Sequence, residues 1–192
     1  LKMLGLSKKH SKNVMILGAS TTAFYLAKML LRSGSGVTII DRDRERCNHF
    51  AELLPSAVII NGDGAQQEVL MEEGITSADA FTALTGIDEE NILISFFAQS
   101  QNVPRVVTKV NRGELASMAE KLGLDSIVSP KRAVTNIVTS YARALQNTLG
   151  SNIETMYKLM DGRVEALEFN VKTDFKNQHI PLKDMQLKQD VL

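Results

Sequence analysis

Short apolar runs alternate with longer segments of helical spacing from Asn13 to about residue 148. "VMIL" (14–17), "VTII" (37–40), "AVII" (57–60), "AFTAL" (80–84), "RVVTKV" (105–110) and "SIV" (126–128) lack the polar alternation of a half-wet strand. Strands read this way when helices cover both faces of their sheet. Between them, residues 21–33 set Ala23, Leu26, Ala27 and Leu30 on one helical stripe, and Gly34 and Gly36 end that helix. The next helix carries Cys47, Phe50, Ala51 and Leu54 at i, i+3, i+4 and i+7, and Pro55 stops it. Residues 65–73, 88–101 and 113–122 supply three more helices, the second with Ile92, Leu93, Phe96 and Phe97 facing inward. Strand–helix alternation with right-handed crossovers predicts an α/β fold, a doubly wound parallel sheet of six strands in the Rossmann-like order 3-2-1-4-5-6.

After Pro130 the pattern changes. A helix over 131–148 places Val134, Ile137, Val138, Tyr141, Ala142 and Leu145 on one stripe, although the sheet is already complete. "IETMYKLMDGRVEALEFNV" predicts a β-hairpin turning at Asp161-Gly162, a favoured type I′ pair. There Leu167, Phe169 and Val171 alternate with Glu168, Asn170 and Lys172. "IPLKDMQL" predicts a short helix. A hairpin and one helical turn cannot make a core of their own. The tail is therefore expected to begin a truncated α+β subdomain or to pack on a partner.

Composition narrows the class. The 192 residues are 44% hydrophobic and 23% charged, which suits a globular protein with a real core. Lys and Arg number 22, as do Asp and Glu, so no global positive field draws nucleic acid or an anionic membrane surface. A local patch at Lys8, Lys9, His10 and Lys12 is the exception. The single cysteine, Cys47, excludes an internal disulfide framework and suits a reducing compartment; on its apolar stripe it is expected in the core. No apolar run reaches the roughly 20 residues of a membrane helix. The start "LKMLGLSKKHSK" lacks signal-peptide architecture and opens on Leu, so a cut from a longer protein is expected.

Candidate chemistry gathers at the ends of the predicted strands. In a Gly-x-Gly-x-x-Gly turn the glycines make the bend, admit pyrophosphate and let helix and strand approach. Here the three positions are Gly18, Ser20 and Ala23. Alanine is accepted at the third; serine at the second adds a Cβ, while the hydroxyls of Ser20, Thr21 and Thr22 could donate to phosphate. The helix N-terminus offers N–H groups and a positive dipole end in either case. A plain strand–helix turn with Ser/Thr capping fits the same residues. Asp41 ends the second strand 23 residues after Gly18, where an acid accepts from ribose hydroxyls. It would repel a 2′-phosphate, favouring NAD, ATP or ADP over NADP; capping the helix near Asp43 is its alternative role. Arg42 could soften the preference against NADP or stack on adenine. Asp63, between glycines after strand three, lies where adenine would sit, or caps a helix from Ala65.

After strand four, Thr85 and Gly86 approach the crevice. Asp88 is expected to cap the next helix with Asn91 facing back, and Asp88, Glu89 and Glu90 to form a solvated first turn rather than a cation site. His10, His49 and His179 are dispersed without metal spacing. No Ser/His/Asp set or Tyr-x-x-x-Lys pair is visible, Tyr141 being followed at +4 by Leu145. A nicotinamide enzyme needs a positioned acid or base, and none is found, so no catalytic residue is expected.

Taken in order, "VMILGAS", "TIIDRDRERC", "VIINGDGAQQEVLMEEGI", "DAFTALTGIDEENILISFFAQ", "RVVTKVNR" and "GLDSIVSPKRAVTNIV" resemble the RCK/KTN family, in particular the second half of its TrkA-type members. The match is co-linear over 13–148, and no single motif is specific. The resemblance implies a linker at 1–12, a nucleotide-binding domain at 13–129, a crossover and dimerisation helix at 130–149 and a partial C-terminal subdomain at 150–192. It also implies NAD or NADH as ligand, with ATP, ADP or AMP as the other choices. Gly18, Ser20, Thr21 and Thr22 would then face diphosphate, Asp41 the ribose, Arg42 and Asp63 the adenine, and Thr85 the distal ligand, with Lys109 a weaker candidate. Ser20 departs from the family's glycine. The family pairs through residues 131–148, assembles into tetrameric or octameric rings at the inner face of the cell membrane, and gates a potassium transporter or channel. This implies a cytoplasmic homo-oligomer, with a membrane subunit as partner and no nucleic acid. The competing expectations are an NAD-dependent oxidoreductase, a methyltransferase using S-adenosylmethionine, and a scaffold with an empty site.

Overall fold

The computed structural model describes residues 11–147, 153–159, 164–169 and 180–181. Six parallel strands, β1 (Asn13–Leu17), β2 (Gly36–Asp41), β3 (Val58–Asn61), β4 (Ala80–Ala83), β5 (Val106–Lys109) and β6 (Ile127–Val128), form one sheet ordered β3-β2-β1-β4-β5-β6. The expected order and parallel sense both hold. Leu17 stands opposite Ile40 on one side and Ala83 on the other, so β1, β2 and β4 finish level. The chain diverges there to opposite sides of β1, leaving a crevice at the strands' carboxyl ends.

The alternation of side chains along each strand divides the core in two. Val14, Ile16, Val37 and Ile39 pack with α1 (Thr21–Arg32) and α2 (Arg44–Leu53). Met15, Leu17, Ile40 and Phe81 pack on the other side with α3 (Gln67–Glu72) and α4 (Asp88–Ser100). Ala23 and Ala27 are fully buried, and their small side chains let α1 lie close to β1. A third cluster, with Ile92, Val110, Ala116 and Ala119, seats α5 (Gly113–Lys121).

Two residues expected inward point to solvent. Ala51 lies beside the narrow buried stripe of α2, which holds Cys47 and Phe50. Leu93 is 67% exposed, because α4 buries Asn91 and Ser95 instead. Both are polar residues with hydrogen-bond partners, which hydrophobic periodicity does not register. α3 starts at Gln67 rather than residue 65, and a 3-10 turn at Ile75–Ser77 precedes β4 with Ile75 fully buried.

The chain divides into two compact units between Arg132 and Ala133, and α6 (Pro130–Asn147) spans that division. β7 (Ile153–Leu159) and β8 (Val164–Phe169) pair antiparallel from Ile153–Phe169 to Leu159–Val164, with one irregularity between Ile153 and Thr155. The expected hairpin strands are therefore present. Its Asp161-Gly162 turn, the Leu145 side chain, the alternation of residues 167–172, the helix expected in "IPLKDMQL", and the basic patch at residues 8–10 lie outside the described residues.

Candidate functional site

A cleft of about 220 Å³ opens at the carboxyl ends of β1, β2 and β4, and Gly18, Ser20, Asp41, Arg42, Asp63 and Thr85 all line it. Thr21 and Thr22 stand on the exposed first turn of α1, outside the lining.

Gly18 carries the chain out of β1. Its φ is +97°, and a Cβ there would lie 3.0 Å from the Leu84 carbonyl carbon and the Thr85 nitrogen. Glycine satisfies both the left-handed backbone and the close approach. Ser20 caps α1, its hydroxyl accepting from the Ala23 N–H at 3.3 Å and its carbonyl from Phe24 at 2.9 Å. The N–H groups of Thr21 and Thr22 keep no partner within the helix and remain at its positive end. The Ser20 hydroxyl also keeps its own proton to donate. Serine at the departing position thus supports the helix start while still bordering the cleft.

Asp41 is 8% exposed. Its Oδ2 accepts from the Ala19 N–H at 2.6 Å and its Oδ1 from the Asp43 N–H at 2.8 Å. Each oxygen retains a second lone pair for a ligand hydroxyl. α2 is capped by Asp43, which accepts from Glu45 and Arg46, so the alternative role considered for Asp41 belongs to its neighbour. Asp63 accepts from the Ala65 N–H at 3.1 Å and turns the loop after β3. Gly64 in that loop lies on Leu17, whose Cδ1 would be 2.1 Å from an added Cβ. Cys47 is buried as expected and donates its thiol to the Asp41 carbonyl at 3.3 Å. Burial pushes the thiol above its ordinary range, and the Asp41 carboxylate adds to the shift.

Thr85 donates from both its N–H and its hydroxyl to Asn91 Oδ1, at 3.0 and 2.7 Å. Asn91 Nδ2 in turn reaches the carbonyls of Thr85 and Lys109. Lys109 is half-buried beside the Leu84 carbonyl at 3.5 Å; burial lowers its pKa against the pull of Asp88.

Residues 14–130 match the TrkA-N domain. The chain belongs to the TrkA-N family. The Trk system potassium uptake protein TrkA homolog 1 of Methanosarcina mazei is 28% identical over 191 residues, which cover 99% of this chain and 41% of that protein. This chain spans about two fifths of the length of the curated relatives it matches. The TrkA-N domain of the inner membrane protein ybaL from Escherichia coli superposes with a TM-score of 0.62 at 14% identity, covering 68% of this chain and 96% of that one. The GsuK channel bound to NAD superposes with a TM-score of 0.56 at 16% identity, covering 81% of this chain and 27% of the channel's. These two likenesses are of fold.

Three features of this TrkA-N domain differ from the expectation or go beyond it. Asp88 does not cap α4; the cap position is Ile87, without a side-chain bond. Asp88 is buried and accepts from the N–H groups of Asn111 and Arg112 at 3.0 and 2.9 Å, tying the loop after β5 to the start of α4. Burial opposes its charge, but the Arg112 and Asn111 N–H groups outweigh it and hold the carboxyl below its usual range. Second, the acid run is not one solvated turn. Glu89 pairs with Arg112 in solvent, while Glu90 is half-buried in the cleft. Successive helical residues lie about 100° apart, so three in a row cannot all face water on a packed helix. Third, Arg46 also lines the cleft while paired to Asp43 at 3.2 Å. Among the described residues no group of three or more His, Cys, Asp or Glu could hold a metal ion. Nor is any helix among them long and apolar enough to cross a membrane.

Proposed function

We propose that this chain is the regulatory nucleotide-binding part of a TrkA-type potassium uptake system. It binds NAD, NADH or an adenine nucleotide in the cleft and gates a membrane potassium transporter from the cytoplasmic side. The observation that carries the ligand is the cleft itself, where the Gly18 turn, Ser20 at the start of α1, the Asp41 carboxylate and Asp63 converge at the switch point between β1 and β4. The name of the Methanosarcina relative supports the potassium system, and the NAD-bound channel of like fold supports the ligand class.

In this role the protein turns nothing over. A nucleotide shifts one arrangement of the assembly over another only as far as it binds that arrangement better. A 100-fold preference is worth about 2.7 kcal/mol, enough to swing a balanced gate. The exposed α6 stripe of Val134, Ile137, Val138 and Tyr141 is the seam through which two copies pair.

Isothermal titration with NAD, NADH, ATP, ADP and S-adenosylmethionine tests the ligand. One of the first four is expected to bind, and Asp41→Ala to weaken it about tenfold or more through the lost ribose contact and the freed Ala19 N–H. Binding of S-adenosylmethionine alone would replace this reading with a methyltransferase, and no binding at all would leave a scaffold.

A further inference from the structure

The first turn of α4 brings a carboxylate into the cleft that the ribose, phosphate and base contacts leave unused. Glu90 is half-buried beside Thr85, Gly86 and Ile87, and its carboxylate makes no hydrogen bond or ion pair among the described residues. Charged groups border it from several elements. β2 ends in Asp41 with Arg42 next in the chain, α2 contributes Arg46, and the loop after β3 contributes Asp63. Most are committed elsewhere: Arg46 to Asp43, Asp41 to two backbone N–H groups and Asp63 to Ala65. On its own helix, Asp88 and Glu89 turn to Arg112. Lys109 lies against the Leu84 carbonyl. Arg42 thus remains on this wall to set against the three carboxylates of Asp41, Asp63 and Glu90.

We infer that Glu90 sets the charge selectivity of the cleft, taking up a proton when a dinucleotide pyrophosphate binds and weakening its binding when ionised. This rests on the nucleotide reading above. A pyrophosphate at the α1 N-terminus adds negative charge to a wall already rich in it, so the charge most easily surrendered is the one no donor holds. Burial already pushes the Glu90 carboxyl up; Arg42 opposes, and Asp63 and Asp41 add to the rise. Bound pyrophosphate raises it further. Affinity therefore climbs as the pH falls into the range where Glu90 titrates, and is flat above it.

NAD is the probe, because its pyrophosphate diester keeps a constant charge between about pH 5 and pH 8, so protons taken up on binding in that span belong to the protein. Calorimetry in two buffers of different ionisation heat counts the protons taken up. Wild type is expected to take up a fraction of a proton and to bind about tenfold more tightly at the lower pH. Glu90→Gln is expected to take up none and to hold the tighter affinity at both pH values. Glu89→Gln is expected to match wild type. Proton uptake that persists in Glu90→Gln, or is absent from wild type, overturns the inference. So does a failure of NAD to bind at either pH, in which case binding of ADP would still preserve the proposed function.

Discussion

At Gly18 two constraints meet that alanine cannot satisfy together. The backbone is left-handed, at φ +97°, and the space a Cβ needs is occupied by the backbone of Leu84 and Thr85 at 3.0 Å. Gly34 isolates the first constraint, with φ +84° and nothing within 4 Å. Gly34→Ala is expected to cost about 1 kcal/mol, the price of the left-handed residue alone. Gly18→Ala is expected to cost about 2–3 kcal/mol, with the excess arising from displacement of the β4 end. Urea denaturation of both variants checks the difference, and equal losses would show that the close approach carries no weight. The same residue shapes the cleft, since the turn it makes brings Ala19 onto Asp41.

At the scale of elements, α4 joins the two halves of the crevice. Asn91 is fully buried and pins the end of β4 through Thr85 and the end of β5 through Lys109. Asp88 holds the β5–α5 loop through two backbone N–H groups. Removing its charge leaves those donors with a weaker acceptor, and Asp88→Asn is expected to destabilise the fold by about 1–3 kcal/mol near neutral pH. The carboxyl titrates below its ordinary value in the folded state. Its contribution is therefore complete above the unfolded carboxyl range and is lost as pH falls through the depressed folded value. Denaturation midpoints followed into acid should show wild type losing stability more steeply than Asp88→Asn, the two converging at low pH. Parallel curves would mean that the charge contributes nothing.

At the scale of the whole molecule, α6 carries an apolar stripe exposed among the described residues, with Ile137 at 69% and Tyr141 at 66% exposure. A stripe of that kind is costly in water, and the proposed pairing would cover it. The double substitution Ile137→Asp with Tyr141→Asp is expected to convert a dimer to a monomer by light scattering, with the α/β unit's circular dichroism unchanged. An unaltered mass would remove α6 as the seam.

Legibility in the sequence follows the range of the interactions. The six strands, the five helices around the sheet and the acid at the end of β2 all follow from local periodicity and from glycine and proline, whose effects act over a few residues. The same applies to the convergence of Gly18, Ser20, Asp41, Arg42, Asp63 and Thr85, because the fold's topology assembles the strand ends in a known order. Tertiary structure decided the rest. Whether Asp88 caps a helix or receives the amides of a loop 23 residues away depends on packing. So does the inward turn of Asn91 in place of Leu93, and of Glu90 in place of Glu89. Burial of a polar side chain is settled by whether distant donors and acceptors reach it, and no periodic signal along the chain encodes where those partners stand.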